Sequence, residues 1–296
     1  MRGRVKTVVV ETGLIALGVL LFIGPVWSGP PFFTDDPEPV EYLHWEVYLA
    51  SQWAHDKEAG TSGTLPHLEV NYGPAPDLHL HVIIPAAYSA PIEGSTRYGL
   101  GDMELGIKYR FIHEDEQGWR PQVGIFPLLE VPTGSSSRGL GSGYLVAFFP
   151  VWVQKSWGPW TTYGGGGYWY HPGQNNKNYW FTGWLLQRDF SKMLTLGAEV
   201  FNTSPKAKGE RDETGFNVGG YVNLSEEHHI LFSVGRDMKG QNTLFTYFAF
   251  QWTFGPGGKE DLLEKLLVRI GQSPSRSPTF SKNEMHLRVS EAEIKM

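Results

Sequence analysis

Residues 100–111 read LGDMELGIKYRF. Met103, Leu105, Ile107, Tyr109 and Phe111 alternate with Asp102, Glu104, Lys108 and Arg110, with glycine at position 106. At the helical repeat, apolar residues two apart would spray around the whole cylinder; at the strand repeat they form one stripe. The segment is therefore predicted to be a strand with one greasy face and one charged face. The same alternation sets Leu43, Trp45, Val47, Leu49 and Trp53 against Tyr42, His44, Glu46, Tyr48 and Gln52. It sets Leu78, Leu80, Val82 and Ile84 against His79 and His81, and it aligns Leu244, Phe248, Phe250, Trp252 and Phe254 in the last such run. Strands are predicted at 40–54, 65–73, 77–88, 101–112, 119–131, 143–155, 159–170, 178–189, 192–202, 214–224, 228–236 and 242–254.

No amphipathic helical stretch precedes residue 259, which leaves no crossover helices for an α/β fold. Connections 55–63, 89–99, 132–143, 171–178 and 203–213 are long and polar, while 74–76, 114–118, 155–159, 189–192 and 225–229 are tighter; only 237–241 breaks the alternation. Sorting by parity is expected of an outer-membrane barrel, with short turns on one side and longer loops on the other. In lipid only a closed sheet satisfies every backbone group. The predicted fold is all-β: a closed antiparallel up-and-down transmembrane β-barrel of about twelve strands, with Met103 to Phe111 toward acyl chains and the charged residues toward a polar lumen. A secreted soluble β-sandwich is the rival. Trp45, Trp53, Trp157, Trp160, Tyr168–Tyr170, Tyr179 and Trp180 lie near strand ends, where an interfacial girdle belongs. Residues 144–153 (YLVAFFPVWV) are apolar on both faces and Gly164–Gly167 interrupt a strand; this region either fills the lumen with side chains or forms a binding surface.

The ends differ from the middle. Arg2, Arg4 and Lys6 precede the apolar run Gly13–Gly24, and Val26-Trp27-Ser28 resembles a cleavage site, so residues 1–28 are predicted to be a signal peptide and the protein to be exported. An uncleaved anchor is the alternative, since Glu11 is awkward in a signal. Residues 29–39 (GPPFFTDDPEP) form an extended lead-in, 40–254 the barrel, and 255–296 a tail in which Leu262, Leu263, Leu266, Leu267 and Ile270 share a helical face. Across the 296 residues, 14% are aromatic and 36 are glycine, a pairing that suits strands and tight turns. The chain has no cysteine, which removes disulfides, thiolate metal sites, a Cys nucleophile and a lipid-anchor Cys. A net charge of −6 argues against a nucleic-acid partner.

HLEVNYGPAPDLHLHVIIP (67–85), GLGDMELGIKYRF (99–111), FPLLEVPTG (126–134) and FFTDDPEPVE (32–41) resemble the MetA-pathway of phenol degradation family, over roughly residues 32–254. The resemblance implies a Gram-negative outer-membrane, porin-like transporter for small solutes, aromatic or hydrophobic ones among them. It implies no binding residue, and the chain departs from such barrels by running about forty residues past the aromatic strand end at Phe254.

Lumen-lining candidates follow from strand parity. His44, Glu46, His67, Glu69, His79 and His81 share the polar face of neighbouring strands, where they could form a divalent-metal site, a pH-sensitive constriction or a hydrogen-bonded wall. A turn centred on Ala75 pairs Glu69 with His81 and Asn71 with His79. Asp102, Glu104, Lys108 and Arg110, with Arg120, Gln122 and Glu130 on the next strand, form a second ladder: an electrostatic constriction or simple cross-strand pairing. Loops 89–99 and 132–143 are candidate lids. No catalytic residue and no cofactor is predicted: GSSSRGLGSG lacks the Lys and the helix of a phosphate loop, and no G-x-S-x-G or H-E-x-x-H is present. The expected function is diffusion of small solutes through the lumen. Expected partners are outer-membrane lipid, the solute, and the barrel-assembly machinery during insertion. The rivals are a barrel enzyme acting on lipid, which requires a Ser–His pair, and a closed structural or adhesive barrel.

Overall fold

The computed structural model describes residues 30–256 except residue 116. Its strands are β1 (Trp45–Asp56), β2 (Gly60–Ala75), β3 (Leu78–Pro91), β4 (Arg97–Leu100), β5 (Met103–Ile112), β6 (Gln122–Ile125), β7 (Leu128–Val131), β8 (Val146–Trp157), β9 (Trp160–Tyr170), β10 (Tyr179–Asp189), β11 (Leu194–Thr203), β12 (Glu213–Asn223), β13 (His228–Lys239) and β14 (Leu244–Phe254). Each pairs antiparallel with its neighbours, and β1 pairs with β14 from Trp45↔Phe254 to His55↔Leu244, which closes the sheet. β4 and β5 are halves of one stave broken at Gly101-Asp102, and β6 and β7 halves of another broken at Phe126-Pro127. The fourteen strands thus make a closed barrel of twelve staves. All twelve predicted spans coincide with staves.

The two faces separate as the alternation requires. Leu49, Leu68, Leu80, Ile84, Leu105, Ile107, Tyr109, Phe111, Phe149, Val200, Phe248 and Phe250 are exposed on the outer wall. Glu69, Asn71, His81, Glu104, Lys108, Gln122, Gln154, Glu199 and Asn217 are buried on the inner one. This is the reverse of a soluble barrel, whose greasy residues point inward, and it excludes the sandwich.

Several local expectations are corrected. β1 begins at Trp45, because Leu43 turns the chain with φ of 63°; Tyr42 and Leu43 precede the strand. The connection expected over 55–63 shrinks to residues 57–59, since Thr61 to Thr64 pair with β1. The connection at 113–121 is conversely long, so the alternation of loop lengths holds only from 132–145 to 224–227, and 240–243 is short again. The β2–β3 turn lies at Pro76-Asp77, and an irregularity between Tyr72 and Ala75 shifts the register: Asn71 opposes His81 and Glu69 opposes Ile83. Trp169 and Tyr179 point into the lumen rather than to an interfacial girdle; Trp45, Trp157, Tyr170, Trp180 and Trp252 face outward. The predicted signal peptide and C-terminal helix lie outside the described residues.

Candidate functional site

The lumen of this barrel is crossed by its own N-terminal segment. The Tyr221 hydroxyl (β12) donates to the Pro30 carbonyl at 3.2 Å and Ser233 Oγ (β13) to the Pro31 carbonyl at 2.5 Å. The Phe33 and Thr34 amides donate to the Glu199 carboxylate (β11) at 2.7 and 2.8 Å, and Asn217 Nδ2 (β12) donates to it at 2.6 Å. On the far wall Lys108 Nζ (β5) meets Asp35 at 3.0 Å and Asp36 at 3.5 Å. The Val40 amide then donates to His79 Nδ1 at 3.4 Å before the chain turns into β1. Segment 30–40 thus spans the barrel from β11–β13 to β5 and β3.

The wall is shaped for this strap. A Cβ on Gly183 would lie 2.1 Å from Thr34 Oγ1, and one on Gly197 would crowd the Phe32 ring at 3.3 Å. These inward glycines leave room that any larger residue would fill. Read as an extended lead-in, residues 29–39 gave no hint that the chain re-enters the barrel. The available signal was the juxtaposition of Phe32-Phe33 with Asp35-Asp36, which calls for an apolar seat beside a cation; the inward face of β5 supplies Lys108.

The predicted wall residues fall into separate groups. His81 is central to one: its Nδ1 lies 2.7 Å from Asn71 Oδ1 and its Nε2 2.9 Å from Glu104, while Asn71 Nδ2 donates to Glu69 at 2.9 Å. Glu46 and Tyr48 lie alongside across β1, opposite Asn71 and Glu69, and the Tyr48 hydroxyl donates to Glu46 at 3.0 Å. Glu130 opposes Glu104 on β7. His67 is buried and pairs with Thr64 at 2.6 Å, and His79 is engaged by Val40. His44 stays at the β1 end of the lumen, where a polar cavity of about 330 Å³ is lined by Glu41, His44, Glu46, Glu226, His229 and Gln251 among others. Among the described residues no cluster of three or more His, Asp or Glu is placed to hold a metal ion.

In the second ladder Lys108 serves the strap and Arg110 binds Asp77 (2.8 Å) and Gln122 (3.0 Å). Asp102, at the β4–β5 break, does something the alternation did not suggest. Its carboxylate accepts the Gly134 amide at 2.9 Å and the Ser142 amide and hydroxyl at 2.6 and 2.8 Å, clamping loop 132–145. Leu140 in that loop is only 1% exposed, and Arg138 ties back to the Tyr98 carbonyl at 3.1 Å. Arg120 is a correction: it precedes β6, is exposed, and donates to the His113 carbonyl at 3.0 Å, because the strand starts at Gln122 rather than 119.

The segments apolar on both faces fill the other half of the lumen. Phe126, Leu128, Val146, Phe148, Trp152, Trp169, Tyr179, Phe181 and Phe201 form one buried inner cluster. Phe148 stacks on Trp169 at 4.4 Å and 7°, and Phe33 of the strap packs edge-on to Phe201 and Phe245 at 4.6 and 5.1 Å. The side-chain-filled alternative is the one observed. Ser225 Oγ lies 3.0 Å from His228 Nδ1. The same oxygen also accepts the Glu227 and His228 amides at 3.2 and 3.0 Å, so it closes the β12–β13 turn. Among the described residues no carboxylate pairs with His228 to complete a triad.

No protein-family profile matches the chain, and no curated protein matches it. Solved structures do share the fold. The COG4313 outer membrane channel from Pseudomonas putida F1 superposes with a TM-score of 0.61 at 15% identity, covering 77% of this chain and all of that one. The KdgM porin in complex with disordered oligogalacturonate superposes with a TM-score of 0.50 at 11% identity, covering 71% of this chain and 99% of the other.

Proposed function

We propose that the protein is an outer-membrane channel through which small solutes diffuse, with residues 30–40 as a strap across the lumen that limits the pore. The observation that carries this is the combination of a closed barrel, an oily outer wall, a polar inner wall and a strap docked on that wall by hydrogen bonds and by ion pairs to Lys108 and Arg110. The fold shared with a bacterial outer-membrane channel and a porin supports the same reading. Outer-membrane lipid is then the outer solvent, and export and assembly machinery deliver the chain.

Charge refines the solute. The inner wall carries Glu46, Glu69, Glu104, Glu130, Glu199 and Asp237, and the strap adds Asp35, Asp36 and Glu38; Lys108 and Arg110 stand against them. A constriction of this sign favours cations and neutral molecules over anions. An acidic polymer such as the one in the KdgM complex is therefore a poor fit. The aromatic half-lumen, and the resemblance to the phenol-degradation family, favour ring-bearing solutes.

Planar-bilayer recording tests this. Full-length protein should conduct, with a reversal potential in a KCl gradient that reports cation preference; anion preference would refute the charge argument. A second reading, a closed structural barrel, is favoured by the packed aromatic cluster. It predicts no conductance even after the strap, residues 30–40, is deleted, whereas the channel reading predicts larger conductance for that variant.

A further inference from the structure

We infer that the place now occupied by Phe33 and Thr34 is a solute-binding seat inside the lumen, and that its chemistry selects an aromatic ring joined to an amine. The inference rests on the channel reading, because it places the seat on the solute's path.

The seat has two halves. One is a ring slot, in which Phe33 lies edge-on to Phe201 at 4.6 Å and 64° and to Phe245 at 5.1 Å and 82°. Phe181 backs Phe201 at 6.4 Å. Aromatic edges and faces arranged this way attract another ring beyond simple burial. The other half is Glu199, 1% exposed, whose two oxygens accept one strap amide each. Among the described residues no Lys or Arg forms an ion pair with Glu199; its carboxylate is met by hydrogen-bond donors of the strap and of Asn217. A carboxylate held in an apolar wall without a cation is costly unless donors surround it. An ammonium group supplies both the donors and the missing charge.

The room for a solute is the volume that Phe33 and Thr34 now fill. A cavity of about 30 Å³ adjoins the strap, lined by Pro31, Phe33, Gln52, Ser233, Phe245 and Tyr247 among others. The inward Gly183 and Gly197 keep the wall hollow where the strap rests. Phe33 thus acts as an internal occupant, with its ring in the slot and its amide on Glu199. An arylalkylamine repeats that pattern with a charge in place of the amide. Because the strap is tethered, it competes at high effective concentration, and the free amine binds only the fraction of molecules whose strap has left.

The test uses full-length protein in detergent micelles and isothermal titration with 2-phenylethylamine, with 3-phenylpropionate as the carboxylate of similar skeleton. Phe33→Ala empties the ring slot without touching the wall, and gel heat-modifiability reports that the barrel is intact. The amine should bind F33A at least tenfold more tightly than the wild type, and at least tenfold more tightly than the carboxylate binds F33A. Glu199→Gln in the F33A background should abolish the preference for the amine. Equal binding of the amine and the carboxylate by F33A, or equal amine affinity in F33A and the wild type, would overturn the proposal without any need for the Glu199 variant. Titration needs no conductance. A silent bilayer with tight amine binding therefore counts against the channel alone, and a conducting barrel that ignores the amine counts against the seat alone.

Discussion

Replacing Lys108 with Met should release the strap. Lys108 Nζ lies 3.0 Å from Asp35, and the two side chains are 6% and 1% exposed. At an effective dielectric constant near 20, unit charges at that distance attract by about 5–6 kcal/mol. Desolvation of both groups cancels part of this gain. Removing only the cation, however, leaves Asp35 inside the wall with no counter-charge, a change that typically costs about 3–5 kcal/mol. The docked strap bears that cost and the released one, with Asp35 in water, does not. Taking about 3 kcal/mol, the released population should rise by roughly a hundredfold. The chain has no cysteine, so Thr34→Cys, at a fully buried position, gives a single reporter thiol. In micelles the maleimide labelling rate of T34C/K108M should exceed that of T34C by about two orders of magnitude. Adding Asp35→Asn should recover much of the protection, because the orphaned charge is then removed. A labelling rate for T34C/K108M within threefold of T34C would refute the reasoning, since the ion pair would then contribute nothing to docking.

Other perturbations address other parts of the lumen. Gly183→Val puts side-chain carbon where Thr34 Oγ1 rests, so it should expel the strap and raise single-channel conductance while the barrel remains heat-modifiable; unchanged conductance would mean that the strap does not limit flow. Asp102→Ala removes three hydrogen bonds to loop 132–145, each of the charge-assisted kind worth about 1.5–3 kcal/mol in favourable cases. Trypsin should then cut after Arg138 in the folded variant and spare the wild type, as read by mass spectrometry. His81→Ala strips partners from Asn71 and Glu104 inside the wall and should lower stability by about 2–4 kcal/mol. A lowered urea midpoint followed by tryptophan fluorescence would register that loss.

Alternation along the chain is enough to specify the barrel. Side-chain direction in a strand has a period of two, so Met103–Phe111 declare their two environments with no knowledge of what they touch. The closed sheet follows from the backbone's need for partners in lipid. Inward orientation of Glu46, Glu69, His79, His81, Glu104 and Lys108 was legible for the same reason. What each of them binds was not. The β2–β3 register turned on an irregularity at Gly73-Pro74, which local alternation does not reveal, and this moved His81 from Glu69 to Asn71. Arg120 fell outside the wall because strand ends depend on pairing across β6 and β8. Asp102 looked like one more charge on a ladder until loop 132–145 folded onto it.

The strap was the largest omission. Its contacts join residues far apart in sequence, Asp35 to Lys108 and Phe33 to Glu199, and no periodicity along the chain encodes which segment enters the lumen. Only the assembled cylinder brings Gly183, Gly197, Glu199 and Lys108 around one strap. Alternation is a local property that short stretches carry in full. Occupancy of the interior is a property of the closed ring, and it exists only once every strand has taken its place.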